Sequence, residues 1–217
     1  MSVKHLIVGY GEVGQSLGKV IGKHVWVDKN LEGTWNKDCV DVVHICIPFK
    51  NTFDVTVAFY KTVAPLVIVH SSVPVGTCDA LDVVHSPIRG VHPHLEEGIR
   101  TFVKYFGGRR AIYAAKIFSD LGIRTKSFKH ARTTEAIKLW ETTQYGRLIM
   151  LEKEIYEYCQ KNKVDFRYVY TEANKDYNEG YIKLGRPEVV RPYLKHIPGP
   201  IGGHCVIPNA KLLKVKL

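Results

Sequence analysis

The glycine motif near the N-terminus constrains the fold of this chain more than any other feature. A short apolar run, His5 to Val8, leads directly into Gly9-Tyr10-Gly11-Glu12-Val13-Gly14, and a segment of helical character begins near Glu12. Glycines at positions one, three and six allow a tight turn, a close approach of a pyrophosphate to the backbone, and close packing of the helix on the strand. The motif in this setting predicts the first unit of a dinucleotide-binding α/β fold.

An acidic residue after the next apolar run predicts which cofactor is bound. Asp28 ends the run V-W-V-D, 19 residues after Gly9. A carboxylate there accepts hydrogen bonds from the adenosine ribose hydroxyls and repels a 2′-phosphate, which favours NAD over NADP. Lys29 beside it weakens that preference a little. FAD or a nucleotide sugar would use the same motif, and ordinary turn glycines with a surface acid are the structural alternative.

Short apolar runs rich in branched residues predict the rest of a sheet. Segments of helical length lie between several of them, including Glu12 to Ile21 and Ala114 to Leu121. This alternation predicts an α/β fold with a doubly wound, mostly parallel Rossmann sheet over residues 1–128. The predicted strands are Lys4 to Val8, His24 to Val27, Val40 to Ile47, Leu66 to His70, Asp82 to His85 and Ala111 to Tyr113.

After about Phe128 the pattern changes to that of one long helix. Apolar residues recur at steps of three or four from Thr133 to Cys159, with Thr133 or Thr134 as the expected cap and Glu135 in the first turn. A tail rich in Tyr, Pro and Gly follows from Lys163. Residues 129–217 are therefore expected to form the central helix and a small helical and loop subdomain for substrate binding and dimerisation.

Composition narrows the class of protein and its compartment. With 45% apolar and 24% charged residues among 217, the chain has the make-up of a globular protein rather than a disordered one. The longest apolar run, Val63 to Val69, is too short to cross a bilayer, and no basic segment with a longer apolar stretch opens the chain. Five cysteines without a C-x-x-C pair favour a reducing compartment. A cytoplasmic protein is expected.

The charge of +10, from 31 basic and 21 acidic residues, favours an anionic partner. The basic residues are dispersed rather than clustered among aromatic platforms, so a small anionic substrate is predicted and nucleic acid and membrane are not. His92 and His94 form an H-x-H pair, but no Asp, Glu or Cys stands at a spacing that completes a zinc set. No metal site is predicted, and Arg89 and His92 are candidates for a substrate pocket or a surface loop.

Four further segments carry a family resemblance. They are D-V-V-H-I-C-I-P at Asp41 to Pro48, S-S-V-P-V-G-T at Ser71 to Thr77, T-E-A-I-K-L at Thr134 to Leu139, and P-G-P-I-G-G-H-C at Pro198 to Cys205. In order and approximate spacing they resemble the motifs of the UDP-glucose/GDP-mannose dehydrogenase family over nearly the whole chain. The family's second nucleotide-binding half, which follows the cysteine loop, has no counterpart in the 12 residues after Cys205.

The resemblance implies NAD-dependent oxidation of an alcohol on a sugar-type substrate, possibly a nucleotide sugar, by a homodimer paired through its central helices. Oxidation of an alcohol through an aldehyde to an acid needs two hydride transfers, and the second needs a nucleophile to hold the aldehyde. By resemblance, Cys205 is that nucleophile and Lys138 stabilises the oxyanion. The other residues assigned in this way are Ile47, Pro48 and Ser72 for the cofactor, Ser72 and Asn209 for catalysis, and Thr142, Gly203 and His204 for the substrate.

The chain also departs from the family pattern. Ile88 stands where the family has a glutamate, Thr142 where it has an asparagine, and Asn209 where it has an aspartate. Two of these changes remove carboxylates that manage protons, and each positioned proton donor or acceptor is worth about a hundredfold to ten-thousandfold in rate. A two-electron dehydrogenase of the β-hydroxyacid type, in which Cys205 only shapes the pocket, and a non-catalytic NAD-binding module are the alternatives.

Overall fold

A computed structural model describes residues 3–201 and 205–216. Its sheet has seven strands in the order β2-β1-β3-β4-β5-β6-β7, and every neighbouring pair is parallel except β5 and β6. The predicted α/β fold with a doubly wound, mostly parallel sheet is confirmed. The strands are β1 (His5–Val8), β2 (Val25–Val27), β3 (Val42–Ile45), β4 (Leu66–Val69), β5 (Val84–His85), β6 (Lys104–Gly107) and β7 (Thr125–Phe128).

The chain forms two compact units, Met1–Lys138 and Leu139–Leu217, and the long helix contributes to both. Within the described ranges, no helix is long and apolar enough to cross a membrane. A π-helical turn (Arg167–Glu172) and a 3-10 turn (Pro187–Val189) join the helices of the second unit. The α-helices are α1 (Glu12–Ile21), α2 (Phe53–Lys61), α3 (Thr77–Ala80), α4 (Leu95–Thr101), α5 (Ala111–Ser119), α6 (Ala131–Asn162), α7 (Ala173–Lys183) and α8 (Val206–Leu213).

The sheet is buried on both faces, which is why its strands are almost continuously apolar. Side chains alternate between the faces, so Ile7 packs under α1, α4 and α5 whereas Leu6 and Val8 pack under α2 and α3. Phe106 and Phe118 fill the first core, and Phe53 fills the second. The carboxyl ends of β1 to β4 are thereby held at one edge of a rigid layer.

One predicted strand is wrong and two strands were missed. The run Ala111 to Tyr113 is the first turn of α5, whose buried residues Ala111, Ala114, Ala115 and Phe118 follow a helical spacing. Strands β6 and β7 escaped prediction because K-Y-F-G begins with a lysine and ends with a glycine, and T-K-S-F contains three polar residues. In β7, at the edge of the sheet, all four residues are at least partly exposed, so its sequence lacks an apolar pattern.

The predicted cap of the long helix is also wrong. Helix α6 begins at Ala131, so Thr133 and Thr134 lie inside its first turn. Asp79 accepts hydrogen bonds from the backbone N–H groups of Ala131 at 2.7 Å and Arg132 at 3.4 Å, and from the Arg132 side chain at 2.6 Å. A carboxylate 52 residues earlier in the chain therefore satisfies the start of the helix, which local sequence could not indicate.

Candidate active site

A cleft of about 650 Å³ opens at the carboxyl ends of β1 and β3, where the strand order reverses. Ligands of open α/β sheets bind at such a reversal point. Seven of the nine predicted cofactor residues line the cleft, namely Gly9, Gly11, Glu12, Val13, Asp28, Ile47 and Pro48. Gly14 lies inside α1, and Ser72 follows β4. Positive charge comes to the cleft from Lys29, already noted beside Asp28, and from Lys50, which sequence reasoning did not single out.

A different structural feature explains the glycine at each of the three motif positions. Gly9 has a φ of +90°, and a Cβ there would lie 2.8 Å from the Ile47 side chain and 2.9 Å from the Cys46 carbonyl oxygen. A Cβ at Gly14 would overlap the carbonyl oxygen of Gly9. At Gly11, by contrast, no described atom lies within 4 Å of an added Cβ. The open space above Gly11 fits a ligand that approaches the backbone closely, as a pyrophosphate does.

Asp28 lies directly after β2 at the rim of the cleft. Its carboxylate accepts hydrogen bonds from the backbone N–H groups of Asn30 at 2.9 Å and Tyr10 at 2.8 Å. These two bonds hold the pKa of Asp28 below its ordinary value, so the group is an anion at neutral pH. A carboxylate tied to the glycine loop in this way fits the adenosine ribose hydroxyls of NAD.

A side chain near the start of α6 binds the loop after β4, which contains Ser72. One oxygen of the Glu135 carboxylate accepts a hydrogen bond from the N–H of Gly76 at 2.5 Å, and the other accepts one from Cys78 at 2.7 Å. Glu135 is 1% exposed, and this burial raises the pKa of its carboxyl group. The sequence places Glu135 in the first turn of a helix, but only the fold shows that it caps α3.

His85 makes a second connection to the same loop. Its Nε2 lies 3.1 Å from the carbonyl oxygen of Ser71, and its Nδ1 lies 2.9 Å from the hydroxyl of Thr134. The ring is fully buried, and burial lowers the pKa of His85 to about 3. The loop carrying Ser72 is therefore held at both ends by residues that sequence reasoning did not assign. No nearby sequence pattern indicates that Glu135 and His85 bind this loop.

Lys138 lies one turn further along α6, and its Nζ donates a hydrogen bond to the carbonyl oxygen of Ile88 at 2.9 Å. Arg89, next in the chain, places its guanidinium over the ring of Tyr105 at 4.9 Å and over that of Phe102 at 5.3 Å. These contacts stiffen the segment after β5. The ammonium of Lys138 is thus tied to the backbone at the position where the family pattern has a glutamate.

His92 contacts the glycine loop, although the sequence made it a substrate candidate. Its Nδ1 lies 2.7 Å from a carboxylate oxygen of Glu12, and both side chains are about two-fifths exposed. Glu12 also lines the cleft. His92 therefore contacts a residue that lines the cleft. Among the residues that the structure describes, no group of three or more His, Cys, Asp or Glu side chains is arranged to hold a metal ion.

The second unit holds the remaining predicted residues. Cys205 immediately precedes α8 and is partly exposed, and its carbonyl oxygen accepts a hydrogen bond from the N–H of Asn209 at 3.0 Å. The Asn209 amide donates to the hydroxyl of Thr142 at 2.9 Å. The two positions that depart from the family pattern on α6 and α8 therefore contact each other. Gly203 and His204, predicted for the substrate, lie outside the described residues.

Comparison with solved structures places this architecture among known folds. A UDP-D-ManNAc dehydrogenase from Pyrococcus horikoshii matches 96% of this chain with a TM-score of 0.77 at 18% identity. A GDP-mannose dehydrogenase from Pseudomonas aeruginosa matches all of it with a TM-score of 0.68 at 16% identity. The chain shares the fold of nucleotide-sugar dehydrogenases. At this level of identity, the likeness establishes the fold alone.

These nucleotide-sugar dehydrogenases are longer proteins, and this chain spans 63% and 66% of their respective lengths. A protein whose structure is described as similar to 3-hydroxyacid dehydrogenases also matches, with a TM-score of 0.64 at 13% identity. The match covers 86% of this chain and 81% of that one. No protein-family model and no curated protein sequence matches the chain.

The open space above Gly11 gives a direct test of the cleft. We expect Gly11→Ala to leave the free energy of unfolding within about 1 kcal/mol of the wild-type value, because the methyl group meets no described atom. The same methyl group would fill the space for a pyrophosphate and raise the Kd for NAD at least tenfold, which is about 1.4 kcal/mol. Calorimetric titration with NAD and urea unfolding measure the two effects separately.

Gly180 offers a matched control, since it lies in α7 and an added Cβ there also meets no described atom within 4 Å. Gly180→Ala is expected to leave the Kd for NAD unchanged. An equal Kd for the wild type and Gly11→Ala would contradict the assignment of the cleft.

Proposed function

We propose that this chain is a NAD-dependent dehydrogenase that oxidises an alcohol on a small anionic, sugar-type substrate. The proposal rests on the open space above Gly11, which lies in the same cleft as the anionic Asp28, at the point where the strand order of the sheet reverses. Gly9, Gly11, Asp28, Ile47 and Pro48 would hold NAD. When bound, NAD supplies the hydride acceptor. The fold shared with nucleotide-sugar dehydrogenases supports the class of substrate.

In this proposal Lys138 and Cys205 have separate roles in the reaction. Lys138 would stabilise the developing oxyanion, and its bond to the carbonyl of Ile88 limits the freedom of its ammonium group. The Cys205 thiol would add across the aldehyde, so that a sulfur–carbon bond forms and the oxygen gains the proton. With a second NAD as hydride acceptor and the hydroxyl proton released to water, the thiohemiacetal would become a thioester, and water would then release the acid and restore the thiol.

The Thr142–Asn209 pair supports a second candidate, a two-electron dehydrogenase that stops at the carbonyl product. A neutral amide bonded to a hydroxyl cannot accept a proton as the carboxylate of the family pattern would. The shorter solved structure related to 3-hydroxyacid dehydrogenases shares most of its length with this chain. In this candidate Lys138 keeps its role and Cys205 shapes the pocket.

A homodimer paired through α6 is part of the proposal. Large apolar side chains are 40 to 60% exposed along this helix, at Trp140, Tyr145, Met150, Leu151 and Tyr158. Such a surface on a long helix favours pairing with a second copy.

The experiment that tests the function combines NAD with a panel of UDP-sugars and hydroxy acids and follows NADH formation. We expect wild-type turnover on at least one member, at least a tenfold loss in Lys138→Met, and in Cys205→Ser the loss of acid product with the carbonyl compound retained. Acid formation at the wild-type rate in Cys205→Ser would contradict the thiohemiacetal step. NAD binding without turnover on any member would favour a non-catalytic module, and failure to bind NAD would contradict every version.

A further inference from the structure

The sheet face under α1, α4 and α5 carries a line of ionisable side chains inside the apolar core. His5 on β1, His44 on β3 and His70 after β4 lie on this face with Lys104, the first residue of β6. Their exposed fractions are 7, 0, 3 and 4% in that order. Phe118 of α5 lies edge-on over His44 with ring centroids 6.0 Å apart. Buried polar groups of this kind need partners, because desolvation without a hydrogen bond is costly.

The three histidine rings are joined in one hydrogen-bonded chain. Nδ1 of His5 lies 3.0 Å from Nε2 of His44, and Nδ1 of His44 lies 3.0 Å from Nε2 of His70. Nδ1 of His70 lies 2.7 Å from the carbonyl oxygen of Ser86. The chain thus crosses three strands diagonally, from the start of β1 to the carboxyl end of β5.

The last contact fixes the direction of every bond in the chain. A carbonyl oxygen only accepts, so Nδ1 of His70 carries the proton and its Nε2 is the acceptor. His44 must then donate from Nδ1, and so must His5. Burial lowers the pKa of His5 and lowers the pKa values of His44 and His70 further, which keeps the three rings neutral. Nε2 of His5 is left as the accepting atom at the outer end.

Lys104 shares the inner end of the chain. Its Nζ donates to the same carbonyl oxygen of Ser86 at 3.3 Å and lies 5.3 Å from the ring centroid of Phe118. Burial lowers the pKa of Lys104 to about 7. The ionisable groups close enough to interact with it are Cys46 after β3, His44, His70 and His85 on the neighbouring strands, and Lys138 on α6.

The outer end of the chain lies at the amino edge of the sheet. Asp41, an exposed residue just before β3, accepts a hydrogen bond from the N–H of Lys4 at 2.7 Å. Asp41 attracts positive charge onto His5, whereas His24 opposes it. Water at this edge can therefore deliver a proton to His5 more readily than to the fully buried rings behind it.

We propose that Lys104 is a buried proton-binding site, and that the rings of His5, His44 and His70 conduct its proton to and from the surface at the start of β1. The path needs no substrate or cofactor and goes beyond the proposed dehydrogenase function. It explains why four ionisable side chains lie in line within a core that could have been apolar throughout.

The transfer balances with one proton and no redox partner. A proton from water binds Nε2 of His5, and the Nδ1 protons of His5 and His44 each move to the next ring. For the last transfer the Nδ1–H bond of His70 to the carbonyl oxygen of Ser86 must break, so that Nδ1 can donate to the neutral amine of Lys104, which contacts the same oxygen and becomes an ammonium ion. The three rings end neutral, with their protons on Nε2, and the reverse sequence returns the proton to water.

The charge state of Lys104 reaches the candidate site through Lys138. Lys138 is bonded to Ile88, two residues after the carbonyl that Lys104 contacts, and the two ammonium groups repel each other. If the proposed function holds, protonation of Lys104 near neutral pH would repel the ammonium group of Lys138 and weaken its hydrogen bond to Ile88 in the candidate site.

Ring-proton exchange measured by NMR tests the path in the intact chain. We expect nitrogen-15 shifts to place the protons of His44 and His70 on Nδ1. These N–H groups should exchange with solvent at least ten times faster than the backbone amides of Ile45 and Val69, which need the sheet to open. His5→Asn keeps a side-chain N–H donor but cannot relay a proton, so exchange of both rings should slow at least tenfold. Lys104→Met should have the same effect from the other end.

An exposed histidine outside the chain provides the control, and His94→Gln should leave both exchange rates unchanged. Ring protons on Nε2 in the wild type, or exchange rates equal in the wild type and a folded His5→Asn, would overturn the path. The wild-type ring measurement decides the matter even where a variant fails to fold. Turnover of an alcohol is not part of this readout, so failure of the proposed function leaves the result intact.

Discussion

Lowering the pH from 6.5 to 5 is expected to remove up to about 5 kcal/mol from the free energy of unfolding. His44, His70 and His85 are buried and neutral, and burial places the pKa of His85 at about 3 and those of His44 and His70 well below 6.5. In the unfolded chain all three histidines take up protons as the pH falls below 6.5, whereas the buried rings of the folded chain stay neutral. The folded state therefore has its full stability above pH 6.5 and loses stability as the pH falls further. Three protons at about 1.4 kcal/mol per pH unit give a limiting slope of about 4 kcal/mol per unit, which is reached about one unit below pH 6.5.

Urea unfolding at half-unit pH steps measures this slope. His85→Gln removes one of the three groups and should reduce the slope by about a third. His130→Gln changes an exposed histidine and should leave the slope unchanged. A loss of this size is comparable to the whole stability of a typical domain, so the wild type should unfold in mild acid. Stability that stays constant between pH 7 and 5 would show that these rings are charged or exposed in the native state.

Replacing Glu135 by alanine is expected to cost about 2–6 kcal/mol of unfolding free energy. The change leaves the half-buried N–H group of Gly76 and the buried N–H group of Cys78 without their acceptor, and each such group costs about 1–3 kcal/mol. Glu135→Gln keeps one accepting oxygen and places an NH₂ group against the other N–H, so an intermediate loss is expected. Chemical denaturation of the three proteins at pH 7 gives the comparison.

Glu157→Ala is the matched control for this prediction. Glu157 lies on the exposed side of the same helix, so its removal should change the free energy of unfolding by no more than about 0.5 kcal/mol. If Glu135→Ala cost no more than Glu157→Ala, the carboxylate could not be the cap of α3. The loop carrying Ser72 would then need another anchor.

Local sequence patterns determine the N-terminal half of this protein. Gly9 and Gly14 are required by the close contacts of one turn, Gly11 lies in the same turn, and Asp28 ends the next strand, so both signals lie within 20 residues of sequence. The buried parallel strands show themselves as continuous apolar runs, and α6 shows itself as a helical period. Such patterns depend on near neighbours and on which face is buried, and both can be inferred without coordinates.

Sequence patterns did not predict the role of a residue whose partner is distant in the chain. Strands β6 and β7 lack an apolar pattern because Lys104 enters the core as a polar residue and β7 is at the edge of the sheet. Ala111 to Tyr113 looked like a strand because a short apolar run does not distinguish a strand from the buried face of a helix.

The sequence by itself thus determined the fold class, the glycine cradle, its acidic partner and the long helix. Only the tertiary structure decided that Glu135 caps α3, that Asp79 begins α6, and that His5, His44 and His70 form one chain. These partners are separated by 26 to 59 residues in sequence. A buried polar side chain takes whichever partner the packed layers bring within about 3 Å, and that choice is made by the fold rather than by its neighbours in the chain.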